Sequence, residues 1–145
     1  MTSGVLLDTN AAIWLREESI DTKAFEEIVR AGLAGVAYVS PVTAWEIGLL
    51  SRPEPSSRAL PQFLPDPRQW YLDLVGNALL TETALTAEIL VASSHLPGRF
   101  HNDPADGMLV ATARALDCAL VTSDHKILAY GAQGHLAVIP CRVMS

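Results

Sequence analysis

Phe100-His101-Asn102-Asp103-Pro104-Ala105-Asp106-Gly107-Met108-Leu109-Val110-Ala111-Thr112-Ala113 begins as a polar loop and turns into a helix. Asp103 reads as the N-cap, and Pro104 occupies the first helical position, where a missing N–H does no harm. Asp106 falls three residues after the cap. One reading makes it a capping partner that faces the positive end of the helix dipole. Its direction argues for more. Asp106, Leu109, Val110 and Ala113 are spaced i, i+3, i+4, i+7, so the carboxylate shares a face with apolar side chains. A carboxylate aimed at a core is costly unless something positive meets it. What that positive partner is becomes the question for the rest of the chain.

Outward from this helix the chain alternates strands and helices. Downstream, Ala119-Leu120-Val121-Thr122 reads as a buried strand ending in Ser123-Asp124. A short helix from His125 to about Tyr130 and a strand at Ala137–Ile139 follow. Upstream, Thr86 caps a helix through Ile89, Leu90 and Val91, preceded by a strand at Ala78–Thr81 and a helix around Gln69–Val75. Residues 51–68 carry Pro53, Pro55, Pro61, Pro65 and Pro67, which rule out a long regular element and predict a surface loop or flap. Ser40-Pro41 opens a helix to about Leu50 by the same logic as Asp103-Pro104. At the N-terminus, Val5-Leu6-Leu7 has the length and character of a buried parallel strand. A helix over Ala11–Arg16, another from Asp21-Thr22 to near Gly32, and a strand at Val36–Val39 complete the pass. Alternation of this kind implies parallel pairing and right-handed crossovers, giving an α/β fold: a three-layer α/β/α sandwich over a short parallel sheet, as a single domain spanning 1–145.

Composition bounds the function. Half the residues are hydrophobic, which excludes disorder, and no apolar run approaches the ~18 residues a membrane span needs. Asp8 ends the first apolar run with no basic region before it, so the start does not read as a signal peptide, and the expected compartment is the cytoplasm. Cys118 and Cys141 sit in apolar surroundings without metal-type spacing and read as core residues. His95, His101, His125 and His135 form no H-x-x-x-H pair, which speaks against zinc. A net charge of −6 looks wrong for a nucleic-acid binder, yet five of the acids converge on one predicted site. Setting those aside leaves the charge close to balance, so RNA is not excluded once a cation covers them.

Asp8 follows the first strand directly, and Asp124 follows Leu120-Val121-Thr122 by one residue. Both lie at carboxyl ends of parallel strands, the edge where open α/β sheets bind ligands. The helices carrying Glu46 and Asp103/Asp106 start at the same edge. Capping alone accounts for Asp8, Asp103 and Asp124 taken one at a time. It does not account for Glu46, which is mid-helix and spaced with Val42, Leu49 and Leu50 on an apolar face. Clustered carboxylates repel unless a cation is present, and oxygen ligands favour a hard ion, Mg²⁺ or Mn²⁺. Phosphoryl transfer to water suits such a site, with one or two ions. No G-x-x-x-x-G-K-[ST] loop or Gly-rich dinucleotide turn offers a competing nucleotide chemistry.

Leu6-Leu7-Asp8-Thr9-Asn10, Ser40-Pro41-Val42-Thr43-Ala44-Trp45-Glu46-Ile47, His101-Asn102-Asp103-Pro104-Ala105-Asp106 and Leu120-Val121-Thr122-Ser123-Asp124 together resemble PIN-domain proteins in order and spacing, and most closely the VapC-like toxins of bacterial type II toxin–antitoxin modules. The resemblance covers essentially the whole chain. It implies a metal-dependent endoribonuclease in which Asp8, Glu46 and Asp106 are the core Mg²⁺ or Mn²⁺ ligands. It makes Asp124 a fourth acid, and Thr9 and Ser123 polar neighbours that orient ligands or water. Asp103 matches the acid of the subgroup's D-P-x-D-R pattern and joins Asp124 among the candidate metal ligands. It also implies an antitoxin partner and a homodimer. The 51–68 loop and the helices beside it, with Trp14, Trp45 and Trp70, are candidate contact surface, core packing being the commoner fate of any one Trp. The sequence departs from the pattern at Gly107, where the subgroup usually carries arginine. This implies a site without an internal cation that leans on its metal. Asn10 and Asn102 replace the commoner His and Arg. Arg52, Arg58, Arg99 and Lys126 are candidate phosphate contacts. The alternatives are an RNA-processing PIN nuclease without an antitoxin, and a catalytically weak binding module in which Gly107 marks decay.

Overall fold

The computed structural model describes residues 4–53 and 63–142. The strands are β1 (Gly4–Leu7), β2 (Ala37–Val39), β3 (Thr81–Glu82), β4 (Cys118–Thr122) and β5 (Val138–Pro140), and they form one parallel sheet in the order β3-β2-β1-β4-β5. The helices are α1 (Thr9–Arg16), α2 (Thr22–Leu33), α3 (Pro41–Leu50), α4 (Pro67–Val75), α5 (Ala87–Ala92), α6 (Pro104–Leu116) and α7 (His125–Ala132).

Alternation along β1 builds the three layers. Val5 and Leu7 point to one face and join Ile28 of α2 with Trp70 and Leu74 of α4. Leu6 points to the other and joins Leu109 and Val110 of α6 with Ile127 and Tyr130 of α7. A strand buried on both faces needs apolar residues throughout, and Val5-Leu6-Leu7 supplies them. Because β1 sits between β2 and β4, the winding reverses there. The carboxyl ends of β1 and β4 therefore open a crevice at the switch point, with Leu7 paired to Val121 and the Asp8 amide donating to the Val121 carbonyl at 3.0 Å.

The expected elements are present, with shifted edges. α1 starts at Thr9 because Asp8 takes the cap, its Oδ1 accepting from the Ala11 amide at 2.8 Å. The strand expected over Ala78–Thr81 narrows to Thr81–Glu82. Asn77 folds back to accept from the Leu79 amide at 2.7 Å, and Leu80 turns into the core. Half of the expected 51–68 loop, residues 54–62, lies outside the described residues, and its last two positions already belong to α4. At its far end Phe63 is buried edge-on to Trp70, 5.1 Å between centroids, and Asp66 caps α4. Trp70 is thus core rather than contact surface, whereas Trp45 stays 49% exposed.

Candidate active site

Asp8, Thr9, Asn10, Glu46, Asp106 and Asp124 line one cavity of about 310 Å³ at the switch point, walled on its apolar side by Leu49, Leu50 and Leu109. Each acid reaches it from a different element. Asp8 ends β1, Glu46 projects from the middle of α3, Asp106 from the first turn of α6, and Asp124 caps α7.

Capping and site membership turn out to be compatible. Asp8 Oδ1 caps α1, and Asp124 Oδ1 accepts from the amides of Lys126 and Ile127 at 2.9 and 3.0 Å. A carboxylate has two oxygens with several lone pairs, so a cap fixes the group without exhausting it. Asp106 caps nothing. Its own amide donates to Asp103 Oδ1 at 2.9 Å, which leaves its carboxylate for the cavity.

Burial and crowding act in the same direction on three of these acids. Asp8 is pushed up to about 6, first by burial and then by the charges of Asp106 and Glu46, against hydrogen bonds from Thr122 and the Ala11 amide. Burial raises Glu46 as well, with Asp106 and Asp103 adding repulsion, while the Thr9 hydroxyl donates to Glu46 Oε1 at 2.5 Å and opposes the shift. Asp106 is raised by burial and by Asp103 and Asp124, and is held down by His101. A cluster with this surplus of buried negative charge is built for a cation.

His101 is the hydrogen-bond partner of Asp106. Its Nε2 lies 2.8 Å from Asp106 Oδ2, and His101, Asp106 and Asp124 each offer a ligand atom within 4.8 Å of the others. The sequence reading set the histidines aside because none forms a helical pair. The signal is local: His101 stands two residues before the cap of α6, within side-chain reach of the first turn that carries Asp106. The donor set is therefore carboxylate oxygens with one imidazole beside them, not oxygen alone. Hard oxygens dominate it, which fits Mg²⁺ or Mn²⁺, and the imidazole also suits the softer of the two.

The remaining expected site residues fall elsewhere. Asp103 is exposed, caps α6, and lines a neighbouring hollow rather than the acid cavity. Ser123 is half-buried and is not among the residues lining the cavity. Leu49 and Leu50 are each 39% exposed, so the face they share with Glu46 borders the cavity instead of packing in the core. Gly107 lies in the first turns of α6. A Cβ there would meet the Ser93 carbonyl oxygen at 3.1 Å, so this position faces α5 and not the acids. The glycine is where α5 and α6 approach closely. Arg52, Arg99 and Lys126 are exposed and none lines the cavity; Arg58 lies outside the described residues.

Residues 5–132 match the PIN domain family. No curated protein matches the sequence. Among solved structures, the chain is similar to VapBC2 from Rickettsia felis bound to a DNA fragment from its promoter, with a TM-score of 0.64 at 12% identity over 95% of this chain and 98% of that one. It is also similar to FitAB bound to an IR36 DNA fragment, with a TM-score of 0.51 at 20% identity over 93% of each chain. At these identities the likeness is one of fold.

Proposed function

We propose a function from one premise: the chain belongs to the PIN domain family. On that premise it is a metal-dependent endoribonuclease, the toxin of a type II toxin–antitoxin pair. The observation that carries the reading is the acid cavity itself, where Asp8, Glu46, Asp106 and Asp124 converge on the ligand-binding edge of the sheet. The four ordered motifs shared with VapC-like toxins support the toxin assignment, as does a fold shared with a VapBC2 structure. A cytoplasmic location goes with it; no helix among the described residues is long and apolar enough to cross a membrane.

Asp8, Glu46, Asp106 and Asp124 would hold Mg²⁺ or Mn²⁺, with His101 beside Asp106. When bound, the ion supplies a Lewis acid against the charge of the phosphodiester. The chain's own residues do the positioning. Thr9 fixes the Glu46 carboxylate, the α1 and α7 caps fix Asp8 and Asp124, and His101 orients Asp106. Leu49, Leu50 and Leu109 form an apolar wall, which strengthens the charge interactions beside it.

The test is cleavage of a structured RNA by the purified protein with Mg²⁺, with Mn²⁺ and with EDTA, beside Asp106→Asn prepared in parallel. Cleavage is expected with either ion and lost in chelator and in the variant. Undiminished cleavage in EDTA, or by the variant, overturns the mechanism. Co-expression with the neighbouring reading frame separates a toxin, which retains that product as a bound partner, from an RNA-processing nuclease, which does not.

A further inference from the structure

Beside the acid cavity, and reached across His101, lies a larger hollow of about 450 Å³ between the end of α5 and the loop that leads into α6. Ser94, Phe100, His101, Asn102, Asp103 and Met108 are among the residues around it. Its aromatic wall is braced. The Phe100 and His101 rings lie 4.3 Å apart at 32°, and Phe100 meets the edge of Tyr130 at 5.0 Å. The Tyr130 hydroxyl in turn donates to the Pro97 carbonyl at 2.6 Å, tying the ring to the same loop. The rim is polar and acidic. Ser94 and Asn102 are exposed, and Asp103 commits Oδ1 to the α6 cap. The lining contains no lysine or arginine.

These features select a ligand. A phosphate gains nothing from a rim that carries Asp103 and no cation. A flat heteroaromatic ring gains a stacking wall, and an exocyclic amine, which offers two N–H donors against the single N3–H of uracil, gains acceptors in Asp103 and Asn102. The volume falls in the range of small-molecule sites and accommodates a nucleoside. We propose that this hollow is a base-recognition subsite, taking the nucleobase beside the phosphate held at the acid cavity and preferring bases with an exocyclic amine over uracil. The identity of the polymer rests on the nuclease reading; binding of the base does not. His101 touches both sites, so it couples placement of the base to orientation of Asp106.

The experiment is titration of ¹⁵N-labelled wild-type protein with adenosine, cytidine and uridine in EDTA, read by amide chemical shifts. No metal and no turnover are required. Saturable shifts at Ser94, Phe100 and Asn102 are expected, with adenosine and cytidine binding at least about threefold tighter than uridine. Asp103→Asn keeps the helix cap and should narrow that gap, because an amide also donates. Absent shifts at these residues, or shifts there with inorganic phosphate instead of nucleosides, overturn the proposal. A second arm maps cleaved RNA ends for wild type and Ser94→Trp, which fills the hollow; redistribution of the ends is expected. Nucleoside binding without any RNA cleavage upholds the subsite and refutes the nuclease reading. RNA cleavage without nucleoside binding refutes the subsite alone.

Discussion

Asp8 shows how one side chain sets a pH dependence. Its carboxyl is raised from 3.8 in the unfolded chain to about 6 in the fold, chiefly by burial. The native state therefore holds a proton that the unfolded state releases. The stability that goes with that proton is fully present below pH ~4 and is lost as pH rises through about 6, a change on the order of 3 kcal/mol. Metal-free wild type should accordingly lose melting temperature between pH 4 and 7. Asp8→Asn, which keeps an oxygen for the Ala11 amide, should reduce that slope, leaving the part due to Glu46 and Asp106, and melt higher than wild type at pH 7.5. Equal slopes in the two proteins would mean that Asp8 is not the group responsible. Gly107 carries a second prediction at this scale. Its neighbour is the Ser93 carbonyl, not a carboxylate, so Gly107→Arg should gain no metal-free stability beyond that of Gly107→Ala. The rise in melting temperature produced by Mn²⁺ should match in wild type and Gly107→Ala. A Mn²⁺ effect that shrinks only in Gly107→Arg would support the idea of a missing cation.

Among the elements, α6 organises the site. Pro104 and the Asp103 cap start the helix where its first turn meets the crevice, and Ala105, Leu109, Val110 and Ala113 anchor its inner face. Asp106 is held at the border of that buried face, which is why the helical spacing in the sequence revealed it. Removing the cap should loosen the turn that aims Asp106. Asp103→Ala is expected to cost about 1 kcal/mol, while Asp103→Asn should be close to neutral, as thermal melts of the two variants would show. A second device lies between α1 and α3. Thr9 donates to Glu46 across the crevice, so Thr9→Val should raise the Glu46 carboxyl further and lower activity at neutral pH, with Thr9→Ser restoring it. Unchanged activity in Thr9→Val would show that Glu46 needs no such support.

For the molecule as a whole, the acid cavity predicts linkage between metal, pH and stability. Ions bind the ionised acids, and Asp8 is ionised mainly above about 6. Millimolar Mn²⁺ should raise the melting temperature at pH 7.5 and do so less at pH 5. A shift of equal size at both values would place binding away from Asp8. The exposed apolar surface offers a measurement of assembly. Trp45, Leu49 and Leu50 on α3 and Leu72 on α4 are exposed on packed neighbouring helices, beside the cavity. We expect dimers by light scattering at tens of micromolar, and Trp45→Glu to weaken them or the hold on a co-expressed partner.

The sequence by itself determined the order of elements, the parallel sheet and the segments that carry the acids. Those properties follow from local chemistry: caps, prolines at helix starts, and apolar periodicity, all of which are written within a few residues of one another. It did not determine which acids share a cavity, because Asp103 and Asp106 are three residues apart and yet line different hollows. Nor did it show that His101 meets Asp106, or that Gly107 lies against α5, since both depend on how the loop before α6 and α5 pack on that helix. Strand and helix starts are short-range decisions of the backbone. Which side chains end up within hydrogen-bonding reach of one another is decided only when the layers close, because contacts between distant segments depend on the packing of everything between them.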